Sequence, residues 1–349
     1  PEGQRVVTTS RDGKARVWNW RTGQLLAGPF QHGSNIWLAR FSPLGDRVAT
    51  ASADGTARVW NARTGEPITP PLVHTGEVLT AEFNPDGRLI VTASEDHSAR
   101  VWDAHTGEPL SPPLLHRDSV LWARFSPDGE KVLTASRDNT ACLWDWRRAE
   151  KVIPPLQHTR TVKRAVFSPE GRRIATCSLD LTARIWDVAT GQALTPPMKG
   201  EEPLAEVGFS LDGQRLLTSD AGGRTRLWDS NTGLPLSETL RLYSALGRIA
   251  CCFDPTGERI TAGGWGGIVR VWDVPPPPTP VPDWFPTFAE AIAGVRLGAR
   301  GNLEIVPTSE FAAISERLQH KNDQDFYARV ARWYVNDPAQ RAIHPFRTN

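Results

Sequence analysis

The sequence predicts an all-β fold assembled from one repeated unit, and three observations predict it. Trp18, Trp60, Trp102, Trp144, Trp186 and Trp228 follow one another at intervals of 42 residues, and Trp272 follows after 44. A turn phrase centred on proline or its substitute recurs 17 residues before each tryptophan. Short β-branched and apolar runs lie between the phrases, bounded by turn residues, which is the pattern of strands. Four short strands per repeat of about 42 residues is the signature of a propeller blade.

The tryptophan phrases read KARVWN (14–19), TARVWN (56–61), SARVWD (98–103), TACLWD (140–145), TARIWD (182–187), RTRLWD (224–229) and IVRVWD (268–273). Each predicts one strand. RVATAS (47–52), LIVTAS (89–94), KVLTAS (131–136) and RIATCS (173–178) predict the strand before it. The turn phrases are SPLG (42–45), NPDG (84–87), SPDG (126–129), SPEG (168–171), SLDG (210–213) and DPTG (254–257). Proline presets φ and glycine accepts positive φ, so these are tight turns. Thr-Gly follows most of the tryptophans and closes the next turn.

The composition excludes several classes. Lys+Arg is 40 and Asp+Glu is 39, a formal net charge of +1, which argues against a bulk polyanion or nucleic-acid binder. Apolar residues make up 39% and charged residues 23%, as in an average globular domain. No apolar run is long enough for a transmembrane helix, and residues 1–20 show no basic-then-apolar leader. Cys142, Cys177, Cys251 and Cys252 show neither metal-ligand nor disulfide spacing, so a reducing, cytoplasmic setting is expected.

On the seven tryptophan phrases, their spacing and the turn phrases, residues 1–274 resemble the WD-repeat β-propeller family. The resemblance implies seven four-stranded blades around a central channel, acting as an interaction platform and not as an enzyme. It also implies a hydrogen-bonded tetrad in each blade: a histidine before the first strand, a Ser or Thr on the second, an aspartate in the next turn, and the tryptophan. Four repeats carry all four residues. They are His32/Ser52/Asp54/Trp60, His74/Ser94/Asp96/Trp102, His116/Ser136/Asp138/Trp144 and His158/Ser178/Asp180/Trp186. A buried indole N–H needs an acceptor, and a buried imidazole needs both nitrogens paired.

The last two repeats depart from this pattern. Gly200 takes the histidine position in the sixth and Ser244, or a near neighbour given the two-residue insertion, in the seventh, and Gly222 and Gly266 take the aspartate position. Those blades are expected to rely on packing alone. The four evenly spaced histidines do not predict a metal ring, because each belongs to its own blade, too far from the next to share an ion. No metal or cofactor is expected.

The search for catalytic motifs yields one decoy. His116-Arg117-Asp118 spells the tripeptide of a kinase catalytic loop, but Ser119 and Ala123 stand where that motif needs Leu and Asn. No GxSxG, HExxH or paired CxxC occurs. The residues predict no enzyme.

The family usually binds partners on the face carrying the histidine loops and aspartate turns. The positions flanking each first strand and preceding each turn aspartate are Arg11, Trp37, Glu77, Leu79, Glu95, Leu121, Arg137, Lys163, Leu179, Ile249 and Trp265. The set mixes aromatic, aliphatic and charged residues, which suits a protein or peptide ligand better than nucleic acid.

The first and last repeats read as incomplete, so the strands completing a ring are expected upstream of Pro1, and the chain is expected to be a monomeric propeller within a longer polypeptide. Residues 275–282, PPPPTPVP, predict a stiff linker. Residues 283–349 predict a small, mainly helical region, with helices over 287–294, 309–319 and 325–335 and a hairpin from VRL (295–297) to LEIVP (303–307). Repeats, proline-rich linker and a tail running Asp337-Pro338 to Pro345-Phe346 resemble the C-terminal part of large bacterial WD-repeat proteins that carry an upstream serine/threonine kinase domain. That resemblance implies a regulatory or targeting role in signalling.

Overall fold

A computed structural model of the chain describes residues 3–237, 239–242, 250–264, 269–274, 295–297, 303–305, 313 and 316. The chain divides into two compact units, residues 1–256 with 261–270, and residues 257–260 with 271–349.

Successive antiparallel sheets follow the tryptophan period. The first holds Arg5–Thr9, Lys14–Asn19 and Leu25–Gln31. The second holds Ile36–Phe41, Arg47–Ser52, Thr56–Asn61 and Leu72–Val73, hydrogen-bonded in that order. The third (Val78–Phe83 to Leu114–Leu115), fifth (Val162–Phe167 to Met198–Lys199) and sixth (Leu204–Phe209 to Leu240–Arg241) repeat this four-stranded order. The fourth runs from Val120–Phe125 to Thr140–Asp145, whose outer edge pairs with both Glu150–Lys151 and Leu156–Gln157. Ala250–Phe253, Arg259–Gly263 and Val269–Asp273 form a further three-stranded sheet.

The second strand of each complete sheet is buried from its second residue on, and in Val132–Ser136 and Arg215–Asp220 every residue is buried. It is covered on both edges by partner strands and on both faces by neighbouring sheets. The apolar core is accordingly divided among the interfaces between sheets. One cluster joins Ala51, Val59 and Leu72 of the second sheet to Val78, Ile90 and Trp102 of the third. Equivalent clusters join the first to the second, the third to the fourth, the fourth to the fifth and the fifth to the sixth.

An arginine at the start of a second strand fastens one sheet to the next at the opposite end from the histidine loops. Arg5, Arg47 and Arg173 donate to the turn carbonyls of Gly45, Gly87 and Gly213 at 2.7–2.8 Å. Their guanidinium carbons lie 5.4 Å over Phe41, Phe83 and Phe209.

The turns before the tryptophan strands need positive φ. Gly13, Gly55 and Gly223 supply it in three repeats, while His97, Asn139 and Leu181 adopt φ of 69°, 71° and 70° in the others. His97 is therefore a turn residue.

Beyond the repeats, Val295–Leu297 pairs antiparallel with Leu303–Ile305, and Ala313 and Glu316 are helical. The linker over 275–282, the predicted helices over 287–294 and 325–335, and the remainder of the 309–319 helix lie outside the described residues.

Candidate functional site

The polar scaffold beneath the candidate face is centred on threonine. Trp60 Nε1 donates to Thr50 Oγ1 at 2.8 Å, and His32 Nε2 meets the same hydroxyl at 2.7 Å. Thr92 with Trp102 and His74, Thr134 with Trp144 and His116, and Thr176 with Trp186 and His158 repeat the arrangement at 2.7–2.8 Å. The other imidazole nitrogen faces the turn aspartate, with Nδ1–Oδ2 distances of 3.0, 2.8, 2.8 and 2.9 Å to Asp54, Asp96, Asp138 and Asp180.

This corrects the expectation that Ser52, Ser94, Ser136 and Ser178 take the hydroxyl position. Trp60 is in register with Val48, so the indole reaches Thr50, the next residue on that face; Ser52 is a further step along. The serines do a different job. Ser52, Ser94, Ser136 and Ser178 donate to the histidine-loop carbonyls of Ser34, Gly76, Asp118 and Arg160 at 2.9–3.3 Å. They also accept the backbone N–H of the turn aspartates.

Both nitrogens of each histidine are thus engaged within its own sheet. Burial holds His32, His74 and His158 below the ordinary imidazole value, against the pull of Asp54, Asp96 and Asp180. Burial also opposes the charge on His116, yet its bonds to Asp138 and Cys142 carry it up to about 9. The strand position is the reason. Arg58, Arg100 and Arg184 press the other three histidines down, and Cys142 stands at that register in the fourth sheet. Burial raises the carboxyls of Asp54, Asp96 and Asp180, but hydrogen bonds from Thr56, Ser98, Thr182, the histidines and the histidine-loop backbone prevail and bring them to about 2.

The sixth sheet keeps the Trp228–Thr218 bond at 2.8 Å without a histidine. It does not rely on packing alone, as the sequence suggests. Arg224 lies 3.1 Å from Glu201, 3.8 Å from Glu202 and 3.7 Å from Asp220, an ion cluster across the same loop and turn. Asp220 Oδ1 accepts the N–H groups of Gly222 and Arg224, the work done elsewhere by the turn aspartate. Ser244, Gly266, Ile249 and Trp265 lie outside the described residues.

Five first strands carry a register shift against their partners, between Ile36 and Leu38, Val78 and Thr80, Val120 and Trp122, Val162 and Arg164, and Leu204 and Glu206. The residue inside each shift is Trp37, Leu79, Leu121, Lys163 or Ala205. A bulge bends the strand and re-aims the side chain at the extra residue. These five are half-buried, as are Glu77, Glu95 and Leu179, while Arg11 and Arg137 are exposed. The structure joins some of them in pairs. Trp37 Nε1 donates to Glu77 at 3.0 Å, and Arg137 meets Glu95 at 3.1 Å, each pair bridging adjacent sheets.

Sequence reasoning missed the charged residues next to the bulges. Arg40 pairs with Glu82 at 3.4 Å, and Arg164 pairs with Glu206 while lying 3.8 Å over the Trp122 ring. Burial brings the Arg164 guanidinium down to about 10, with Glu82 opposing. Their signal was the 42-residue register shared by positions 122, 164 and 206 and by positions 40 and 82.

A family model, WD40, described as WD domain, G-beta repeat, matches residues 1–19, 23–61, 66–103, 112–145, 151–187 and 240–273. Among solved structures, the crystal structure of the computationally designed Ika8 protein is similar at 25% identity, with a TM-score of 0.70, over 78% of this chain and 82% of that one. Comparison with curated proteins gives no match.

Proposed function

The chain belongs to the WD-domain, G-beta repeat family, and from that premise we propose a seven-bladed propeller that binds a protein or peptide on the face carrying the histidine loops and aspartate turns, as a non-catalytic scaffold. Repeats of this family generally serve protein–protein interaction. The observation that carries the choice of face is the recurrent bulge, which sets Trp37, Leu79, Leu121 and Lys163 at the same point of four successive sheets. Arg11, Glu95, Arg137 and Leu179 complete the surface from the adjoining turns. Aromatic and arginine anchors amid aliphatic side chains suit a polypeptide ligand, and the net charge of +1 gives no reason to invoke nucleic acid. A monomer in a reducing, cytoplasmic compartment fits the free thiols of the four cysteines.

The test is selection of displayed peptides on the immobilised protein. Binders are expected to lose affinity for L121R and L179R and to keep it for L234E, an exposed leucine beyond the tryptophan strand of the sixth sheet. Binders indifferent to both face variants would place recognition elsewhere.

A second reading is favoured by the tail from Asp337-Pro338 to Pro345-Phe346. In it, the propeller is the regulatory or targeting segment of a bacterial serine/threonine kinase. Reading the coding sequence upstream of Pro1 tests it; the absence of a kinase domain there ends it.

A further inference from the structure

The binding face is not uniform in charge. Its fourth and fifth sheets are neighbours, joined by the core cluster that runs from Leu133 and Ala135 to Val162 and Ala165. Over them stand Arg117 and Arg160 in the histidine loops, Arg137 in a turn and Lys163 at a bulge. Arg117, Arg137 and Arg160 are exposed. The Arg117 N–H donates to Asp138 at 3.1 Å and the Arg160 carbonyl accepts from Ser178 at 2.9 Å, so both loop backbones are fixed. The guanidinium groups of Arg117 and Arg160 have no partner among the described residues.

The carboxylates of this sector are turned inward. Asp118 accepts the Ser119 N–H at 2.6 Å. Asp138 and Asp180 face His116 and His158, and their side chains are 9% and 6% exposed. Carboxylates that reach solvent begin at its borders. They are Glu95 of the third sheet, which meets Arg137, and Glu201 and Glu202 of the sixth, which are 48% and 51% exposed. Apolar side chains lie among the cations. Leu121 and Leu179 are half-buried, and Leu181 is 38% exposed. Leu181 holds φ 70°, a left-handed backbone that disfavours leucine, without burying its side chain in return.

We propose that this sector binds a short acidic segment of a partner protein, with Asp or Glu side chains on Arg117, Arg160 and Lys163 and aliphatic side chains on Leu121, Leu179 and Leu181. The inference rests on the binding face proposed above and names the chemistry of its ligand. A guanidinium group holds a carboxylate through paired, charge-assisted hydrogen bonds. Opposite potentials also speed encounter and reject partners of the wrong sign. Glu95, Glu201 and Glu202 confine the acidic stretch to two sheets, and a long polyanion such as nucleic acid would run onto them.

The experiment selects peptides from a random displayed library on the immobilised full chain and counts Asp and Glu among the binders. They are expected to be enriched in acidic and aliphatic residues over the library and to weaken as salt is raised. Binding to R117E/R160E is expected to be at least about tenfold weaker. R117Q/R160Q is expected to show a smaller loss, which keeps the test open if charge reversal disturbs the loops. R88E/R172E makes the same change of charge in exposed residues at the opposite end of the third and fifth sheets, and is expected to bind as the parent does. Binders that are lost with L121R and L179R, yet are not acidic and tolerate R117E/R160E, overturn this inference and leave the binding face standing. Equal weakening by R88E/R172E also overturns it, because net charge alone would then decide. Binders indifferent to L121R and L179R, or a library that yields none, overturn both readings.

Discussion

Arg47 reaches from the second sheet to the third and donates to the carbonyl of Gly87, forty residues on, at 2.7 Å. The same guanidinium covers Phe83. A charge-assisted bond and a ring contact therefore act together across one interface. R47M, which keeps the apolar stem, is expected to lower stability by about 1–3 kcal/mol. Chemical denaturation measures it, and a loss below about 0.5 kcal/mol would mean the contact is idle.

The threonine hub predicts an order of mutational cost. T92V leaves both the Trp102 indole and His74 Nε2 without their partner, at about 1–3 kcal/mol for each orphaned group. H74A removes one partner each from the Thr92 hydroxyl and Asp96, which keep their bonds to Trp102 and Ser98, and is expected to cost less, about 1 kcal/mol for each bond lost. S94A removes one bond to the Gly76 carbonyl and one from the Asp96 N–H, at about 1 kcal/mol each. If S94A proves costlier than T92V in denaturant unfolding, the hub is misplaced.

His116 is expected to titrate apart from the other three tetrad histidines. In NMR titration it holds its proton up to about pH 9, while His32, His74 and His158 are neutral at pH 7. Its folded value is raised, so its contribution to stability is complete below about pH 6.5 and is lost as the pH climbs through 9. The other three are lowered, so theirs runs the opposite way and falls as the pH drops below about 6.5. C142R, restoring the arginine of the sister sheets, is expected to bring His116 below its ordinary value. An unchanged titration would acquit Cys142.

Asp54, Asp96 and Asp180, held at about 2, stabilise the fold above about pH 4, and that support fades as the pH falls toward 2. D96N is expected to flatten this acid limb of the stability curve. A limb as steep as in the parent protein would assign acid unfolding to other carboxyls.

Leu181 sits at φ 70° where sister turns use glycine. L181G is expected to raise the melting temperature, relieving strain of about 1 kcal/mol. A lower melting temperature would show that the side chain contributes more by packing than the turn loses by strain.

The strands and their order were legible because one period of 42 residues governs both phrase and turn. The hub was misread by two residues because Thr50, Ala51 and Ser52 put a hydroxyl on the same face twice. Alternation selects the face, and only the pairing of Trp60 with Val48 selects the depth. The bulges at Trp37 and Leu79 depend on how two strands pair, so neither strand alone announces them. Gly200 and Gly222 marked the sixth repeat as a departure, but the ion cluster of Arg224 rests on the path of the loop bearing Glu201 and Glu202, which periodicity does not describe.

The buried indole protons give this architecture a set of clocks. Those of Trp60, Trp102, Trp144, Trp186 and Trp228 are each held by a threonine, in side chains that solvent scarcely reaches. Such a proton trades for deuterium only when its surroundings part. Each indole therefore times the opening of its own sheet, and five resolved signals in one spectrum report how evenly the repeats share the burden of staying shut.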